Sequence, residues 1–197
     1  MEDALEQLSG LARTVTGCTR CTETAARRRR AVPGGGHPHA AVLVVSLAPS
    51  GADEAGDGEA GAGLVDALAE FMPALKTSRE SVYVTTLMKC VPRGETGPRA
   101  PEAEELQNCF AYLSREISIT TPHYILVVGE EATRFVLGKL FRDRPYAPGD
   151  ALELRVFDNP AFKVVPVATP GELRGRDARE QKQYRDRLRQ LAQLMGI

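Results

Sequence analysis

The sequence contains no tryptophan, and aromatic residues make up only 6% of its 197 positions. Platforms for stacking unpaired bases would therefore have to be few. Only three histidines are present, His37, His39 and His123, which leaves little room for imidazole chemistry. No apolar run approaches the roughly 18–20 residues that a membrane span needs. The acidic start Met1-Glu2-Asp3 lacks the basic-then-apolar order of an export signal. These absences predict a cytoplasmic chain with no membrane partner. An excess of positive charge is missing too. Lys and Arg number 25 against 26 Asp and Glu, for a formal net charge of −1. The simplest argument for a nucleic-acid partner, a strongly basic surface, is thereby removed. What remains is globular in balance, with 43% hydrophobic and 26% charged residues, and the length suits one domain over residues 1–197.

Cysteine is scarce but patterned. Cys18 and Cys21 form a C-x-x-C pair, and Cys90 and Cys109 follow much later. In a reducing compartment clustered thiols point to metal or redox work rather than to disulfides. Four thiolates complete either a tetrahedral zinc site or an iron–sulfur site, and spacing alone does not choose between them.

Hydrophobic patterning supplies the architecture. Residues 2–15 read as an amphipathic helix with Leu5, Leu8, Leu11 and Ala12 on one face. Short apolar runs at 41–47, 82–87, 124–128 and 163–168 read as strands buried on both faces. A further run at 152–157 alternates like a half-exposed strand. Helices are predicted at 64–75, from Pro101 past Leu113, at about 130–141 and from about Arg176 onward, with Ser78 capping a short turn before the second strand. Strands alternating with helices predict an α/β fold, a three-layer α/β/α sandwich around a central, mainly parallel four-stranded sheet. Ligands in such folds bind beyond the carboxyl ends of the strands. Functional residues are therefore expected just after Leu47, Leu87, Val128 and Ala168.

The C-x-x-C near the start, VLVVSLAPS (42–50), SVYVTTLMKCVPRG (81–94), PEAEELQNC (101–109), YILVVGEEATRFVLG (124–138) and VVPVATPGELR (164–174) follow one another in the order found in a known family. The chain resembles the family 4 uracil-DNA glycosylases, the iron–sulfur members of their superfamily. This resemblance implies a [4Fe–4S] cluster held by Cys18, Cys21, Cys90 and Cys109, with zinc as the lesser alternative. It also implies that the cluster staples an N-terminal segment, residues 1–36, to the rest of the domain.

The resemblance equally marks where the chain departs from the family. Cleaving the bond between uracil and deoxyribose requires base extrusion, charge stabilisation on uracil O2 and a positioned water. Where the family has G-E-A-P-G, this chain reads Ser46-Leu47-Ala48-Pro49-Ser50, so the acid near the water is replaced by Leu47, as in the G-L-A-P form of the related family 5 enzymes. The following loop carries Asp53, Glu54, Asp57 and Glu59 but no aromatic to stack on uracil. Thr86 stands where an Asn pairs with the base, and Thr169-Pro170-Gly171 stands where H-P-[SA] supplies the O2-binding His. Leu47, Thr86 and Thr169 are thus the three motif positions, and Ser46, Ala48, Pro49, Ser50, Thr86, Thr169 and Pro170 form the expected ligand pocket. Losing one positioned donor to the oxyanion costs about 3–4 kcal/mol, and here several are gone together.

Two readings follow. One is a pseudoenzyme of DNA-repair type, a cluster-bearing scaffold that binds DNA, a nucleotide or a protein partner. The other is an active glycosylase of altered base specificity that uses Thr86, Thr169, Ser46 or Ser50. Arg27 to Arg30, Lys89, Arg93, Arg99, Arg174 and Arg176 are candidates for a phosphate-facing rim, opposed by an acidic 50–63 loop within a Debye length of roughly 8 Å. The four-arginine run equally suits a solvated turn. The apolar stripe of the last helix fits packing on the sheet better than docking of a partner.

Overall fold

The short Val-rich runs form a sheet because each alternates its side chains between two helical layers. Val42, Val44, Val82, Val84, Leu126, Val128, Val165 and Val167 face one layer. Leu43, Val45, Tyr83, Ile125, Val127 and Val164 face the other. The computed structural model describes residues 3–56, 61–77, 82–141, 146–147 and 149–196. Its elements in chain order are α1 (Ala4–Thr16), α2 (Thr22–Arg27), β1 (Gly35–Gly36), β2 (Val42–Ser46), α3 (Gly51–Ala55), α4 (Ala62–Ala69), α5 (Ala74–Thr77), β3 (Val82–Thr86), α6 (Ala103–Thr120), β4 (Tyr124–Val128), α7 (Glu130–Leu140), β5 (Phe157–Asp158), β6 (Lys163–Val167), α8 (Pro170–Gly175) and α9 (Ala178–Met195).

The sheet order is β1-β3-β2-β4-β6-β5. The four expected strands are its parallel centre, with Ser46 paired to Thr86 and Val128 to Val167. The expected four-stranded sheet gains two short antiparallel edges, β1 on β3 and β5 on β6. The run at 152–157 enters the sheet only at Phe157, because Leu154 turns with φ 58 and bonds its amide to Pro166 O instead. The helix expected over 64–75 is divided into α4 and α5 around Pro73, which cannot donate within a helix.

One helical layer packs Leu8 and Val15 of α1, Leu106 and Leu113 of α6, and Val136 of α7 on the sheet. The other packs Val65, Leu75, Leu173 and Leu188, from α4, α5, α8 and α9. The apolar stripe of α9, with Tyr184, Leu188, Leu191 and Met195 buried, is accordingly sheet packing. No described helix is long and apolar enough to cross a membrane. Ser78, Asp57 and Glu59 lie outside the described residues.

Candidate thiol site and strand-end cleft

Two places in this framework carry chemistry. At the first, the turn after α1 brings Cys18 and Cys21 toward the loop after β3 and the first half of α6. Cys90 and Cys109 are buried, Cys18 and Cys21 half-buried, and no disulfide links them. The four thiols lie close enough for their charges to act on one another. Burial pushes the Cys21 and Cys90 thiols up, and it carries Cys109 to about 11. Two of the sulfurs accept hydrogen bonds from the protein. Arg28 Nη1 donates to Cys90 Sγ at 3.2 Å and Asn108 Nδ2 to Cys21 Sγ at 3.8 Å. The Lys89 amide faces Cys109 and the Tyr112 hydroxyl faces Cys18, and the positive charge of Lys89 acts on Cys109 as well. Among the described residues no three His, Cys, Asp or Glu side chains close on a site for a single metal ion.

Around the thiols the N-terminal segment is tied down by polar contacts as well. Arg20 donates to Asn108 O at 3.0 Å and lies 4.6 Å over the Tyr112 ring. Thr24 bonds Glu105, whose carboxylate is forked by Arg99 at 2.7 and 2.8 Å. Burial raises the Glu105 pKa, but Arg99, the Glu102 amide and Thr24 outweigh it and hold the group at about 2.

The second place is the carboxyl edge of the sheet, where the three motif positions stand at the ends of separate strands. Leu47 packs its side chain against the core. Pro49 and Pro170 are buried, while Ser46 and Ala48 are half-buried. Ser50 and Thr169 do the same job at two helix starts. Ser50 Oγ accepts from the Asp53 amide at 3.2 Å and donates to Asp53 Oδ2 at 2.7 Å. Thr169 Oγ1 accepts from the Glu172 amide at 3.2 Å and donates to Glu172 Oε2 at 2.8 Å. Both hydroxyls are engaged in capping boxes. Thr86 is the exception: it is only 1% exposed, and its hydroxyl has no hydrogen-bond partner.

No imidazole reaches this edge. The amides of His37 and His123 bond Val82 O and Ala41 O, at the amino ends of the strands, and His39 bonds its amide to His37 Nδ1. A cleft of 470 Å³ opens at the ends of β4 and β6, lined in part by Glu130, Arg134, Asp150, Glu153, Glu172 and Arg187. Glu130, Arg134 and Glu172 lie within the stretches 124–138 and 164–174, but no role at those positions marks this cleft in the sequence.

The expected basic rim is partly drawn inward and partly neutralised by carboxylates at the surface. Lys89 is fully buried and donates to Glu116 at 2.7 Å and to Thr86 O at 2.8 Å, as well as to Thr85. Arg93 forks Glu54, Arg99 forks Glu105, Arg174 pairs with Glu70 and Arg176 with Glu153. The four-arginine run alternates: Arg28 and Arg30 are half-buried against the protein, while Arg27 and Arg29 are exposed. Arg30 donates to Asp53 O and Glu54 O at the end of α3. The expected repulsion from the 50–63 loop is corrected likewise for its described acids. Glu54 is buried against Arg93, which holds its carboxyl below the usual range, and Asp53 caps α3.

A sequence model of the uracil DNA glycosylase superfamily matches residues 33–192, a span that holds all four central strands and both strand-end caps. The chain belongs to the uracil-DNA glycosylase superfamily. It is 31% identical over 138 residues to a type-4 uracil-DNA glycosylase of Sulfurisphaera tokodaii, covering 69% of this chain and 60% of that one. It is 32% identical to the type-4 enzyme of Saccharolobus solfataricus, covering 69% and 62%. The corresponding figures for the Archaeoglobus fulgidus type-4 enzyme are 32%, 67% and 64%. The chain thus spans about three-fifths of the length of the curated relatives it matches.

Proposed function

We propose that this chain is a single-domain, cluster-bearing member of the superfamily that lacks standard uracil excision and serves as a scaffold binding DNA, a nucleotide or a protein partner. The observation that carries this reading is at Thr169. Where the resemblance calls for a histidine on uracil O2, a hydroxyl is committed to a helix cap. The other two motif positions support it: Leu47 neither accepts a proton nor orients water, and Thr86 offers one hydroxyl instead of an amide. No motif side chain is therefore available to stabilise the departing base and activate water together.

The thiol quartet fits a [4Fe–4S] cluster by its donor chemistry: four sulfurs from three segments, two of them with a protein hydrogen-bond donor. The same four thiolates suit zinc as well, and the metal content of the purified protein separates the two. When bound, the cluster supplies a cross-link between residues 1–36, the loop after β3 and α6. Contact with DNA is assigned to the face bearing Arg27 and Arg29, the outward pair of the arginine run.

A second reading, an active enzyme of altered base specificity, draws on the unpartnered Thr86 hydroxyl. A buried hydroxyl without a partner costs roughly 1–3 kcal/mol, which a bound ligand would recover. Strand-cleavage assays on DNA containing uracil, hypoxanthine or xanthine separate the two. The scaffold predicts no turnover above a buffer control, with salt-dependent binding retained. Turnover on any of these bases that disappears in Thr86→Val would establish the second reading instead.

A further inference from the structure

The sulfur contacts around the quartet are unequal, and the inequality points beyond the staple. The sulfurs of Cys21, Cys109 and Cys18 have neutral polar neighbours: an amide side chain, a backbone amide and a hydroxyl. The Lys89 charge acts on Cys109 through space, whereas Arg28 is a cation that donates directly to a ligand sulfur, and it holds two cysteines at once. Its Nη1 donates to Cys90 Sγ at 3.2 Å, and its Nη2 to Cys18 O at 2.5 Å. The guanidinium is half-buried, so water screens it only partly. Arg27 and Arg29 on either side are exposed.

We propose that Arg28 tunes the cluster electronically, raising its reduction potential and slowing its loss, in addition to closing the N-terminal segment over it. This rests on the iron–sulfur reading of the quartet. A four-iron core with two net positive charges and four thiolates carries an overall charge of −2, and one added electron makes it −3. A fixed cation and a hydrogen bond at a ligand sulfur stabilise the more negative state more strongly. Removing that cation must therefore shift the couple to lower potential. Since Arg28 spans ligands from two segments, its removal also frees Cys18, on the half-buried side, to dissociate first.

The test uses the full-length protein purified without oxygen, in wild-type, Arg28→Gln, Arg28→Lys and Arg27→Gln forms. Iron content and absorbance near 400 nm come first; a colourless, iron-free wild type sinks the cluster reading itself. With a coloured wild type, a mediated redox titration followed by electron paramagnetic resonance tests Arg28. Arg28→Gln is expected to give a lower midpoint potential and faster bleaching in air at equal initial iron content. Arg28→Lys should recover part of the shift, because it keeps the charge but not the two-pronged grip. Arg27→Gln should match the wild type. A midpoint unchanged in Arg28→Gln, or moved equally by Arg27→Gln, overturns the proposal.

Discussion

Lys89 concentrates several roles in one residue. Its backbone amide faces Cys109, its carbonyl accepts from Val32, and its ammonium reaches Glu116, Thr85 and Thr86 O. Both charges of the Lys89–Glu116 pair are 1% exposed, so neither can turn to water when its partner is lost. Gly34 completes the enclosure, because a Cβ there would lie 2.7 Å from Glu116, Thr85 and Tyr83 oxygens. Breaking one half of such a pair typically costs about 3–5 kcal/mol, whereas replacing both by apolar groups is far milder. Lys89→Met should therefore lower the denaturation midpoint sharply, and Lys89→Met with Glu116→Leu should recover much of it. Equal losses in the single and double variants would show that volume, not charge, is decisive. In the sequence Lys89 reads as one more basic residue beside a cysteine; only burial reveals it as a core cation.

Among the elements, α6 does most to join the two halves of the site. Its amino end presents the Glu102–Glu105 capping box, its middle presents Cys109 and Tyr112, and Glu116 follows below. The acidic first turn complements the helix dipole, but the partners of Glu105 are not legible in the sequence. Arg99 and Thr24 come from a turn and from α2, which no period predicts. Because the folded-state pKa of Glu105 lies near 2, below its ordinary value of 4.5, the stabilisation it confers is complete above pH 4.5. It is lost as the pH falls toward 2. Acid titration of stability should accordingly show a component in that window that disappears in Glu105→Gln. An unchanged acid limb in that variant would contradict the depressed pKa.

Over the whole molecule, the N-terminal segment is held by two kinds of bond. Leu8 and Val15 contribute apolar burial, and Arg20, Thr24 and Arg28 contribute polar ties. The proposed cluster would add to a segment already docked. Stripping iron with a chelator should speed proteolysis within residues 1–36 while the parallel sheet stays protected. Uniform loss of protection would mean that the staple supports the entire fold.

The sequence by itself determined the parallel centre of the sheet, since valine runs buried on both faces have no other stable use in an α/β chain. It also determined the cysteine pattern and the missing His and Asn, which are matters of residue identity. The edge strands were not legible, because two-residue pairings at Gly35 and Phe157 carry no period. Nor were the partners of the arginines. Ser50 and Thr169 became caps through partners three residues on, whereas Arg93 and Arg99 were turned to buried carboxylates and Arg174 and Arg176 pair with Glu70 and Glu153 at the surface. Tertiary structure alone decided most of the arginine pairings, because a polar side chain takes its role from whichever partner the fold brings within about 3 Å, and the partners of Arg93, Arg174 and Arg176 lie 39, 104 and 23 residues away.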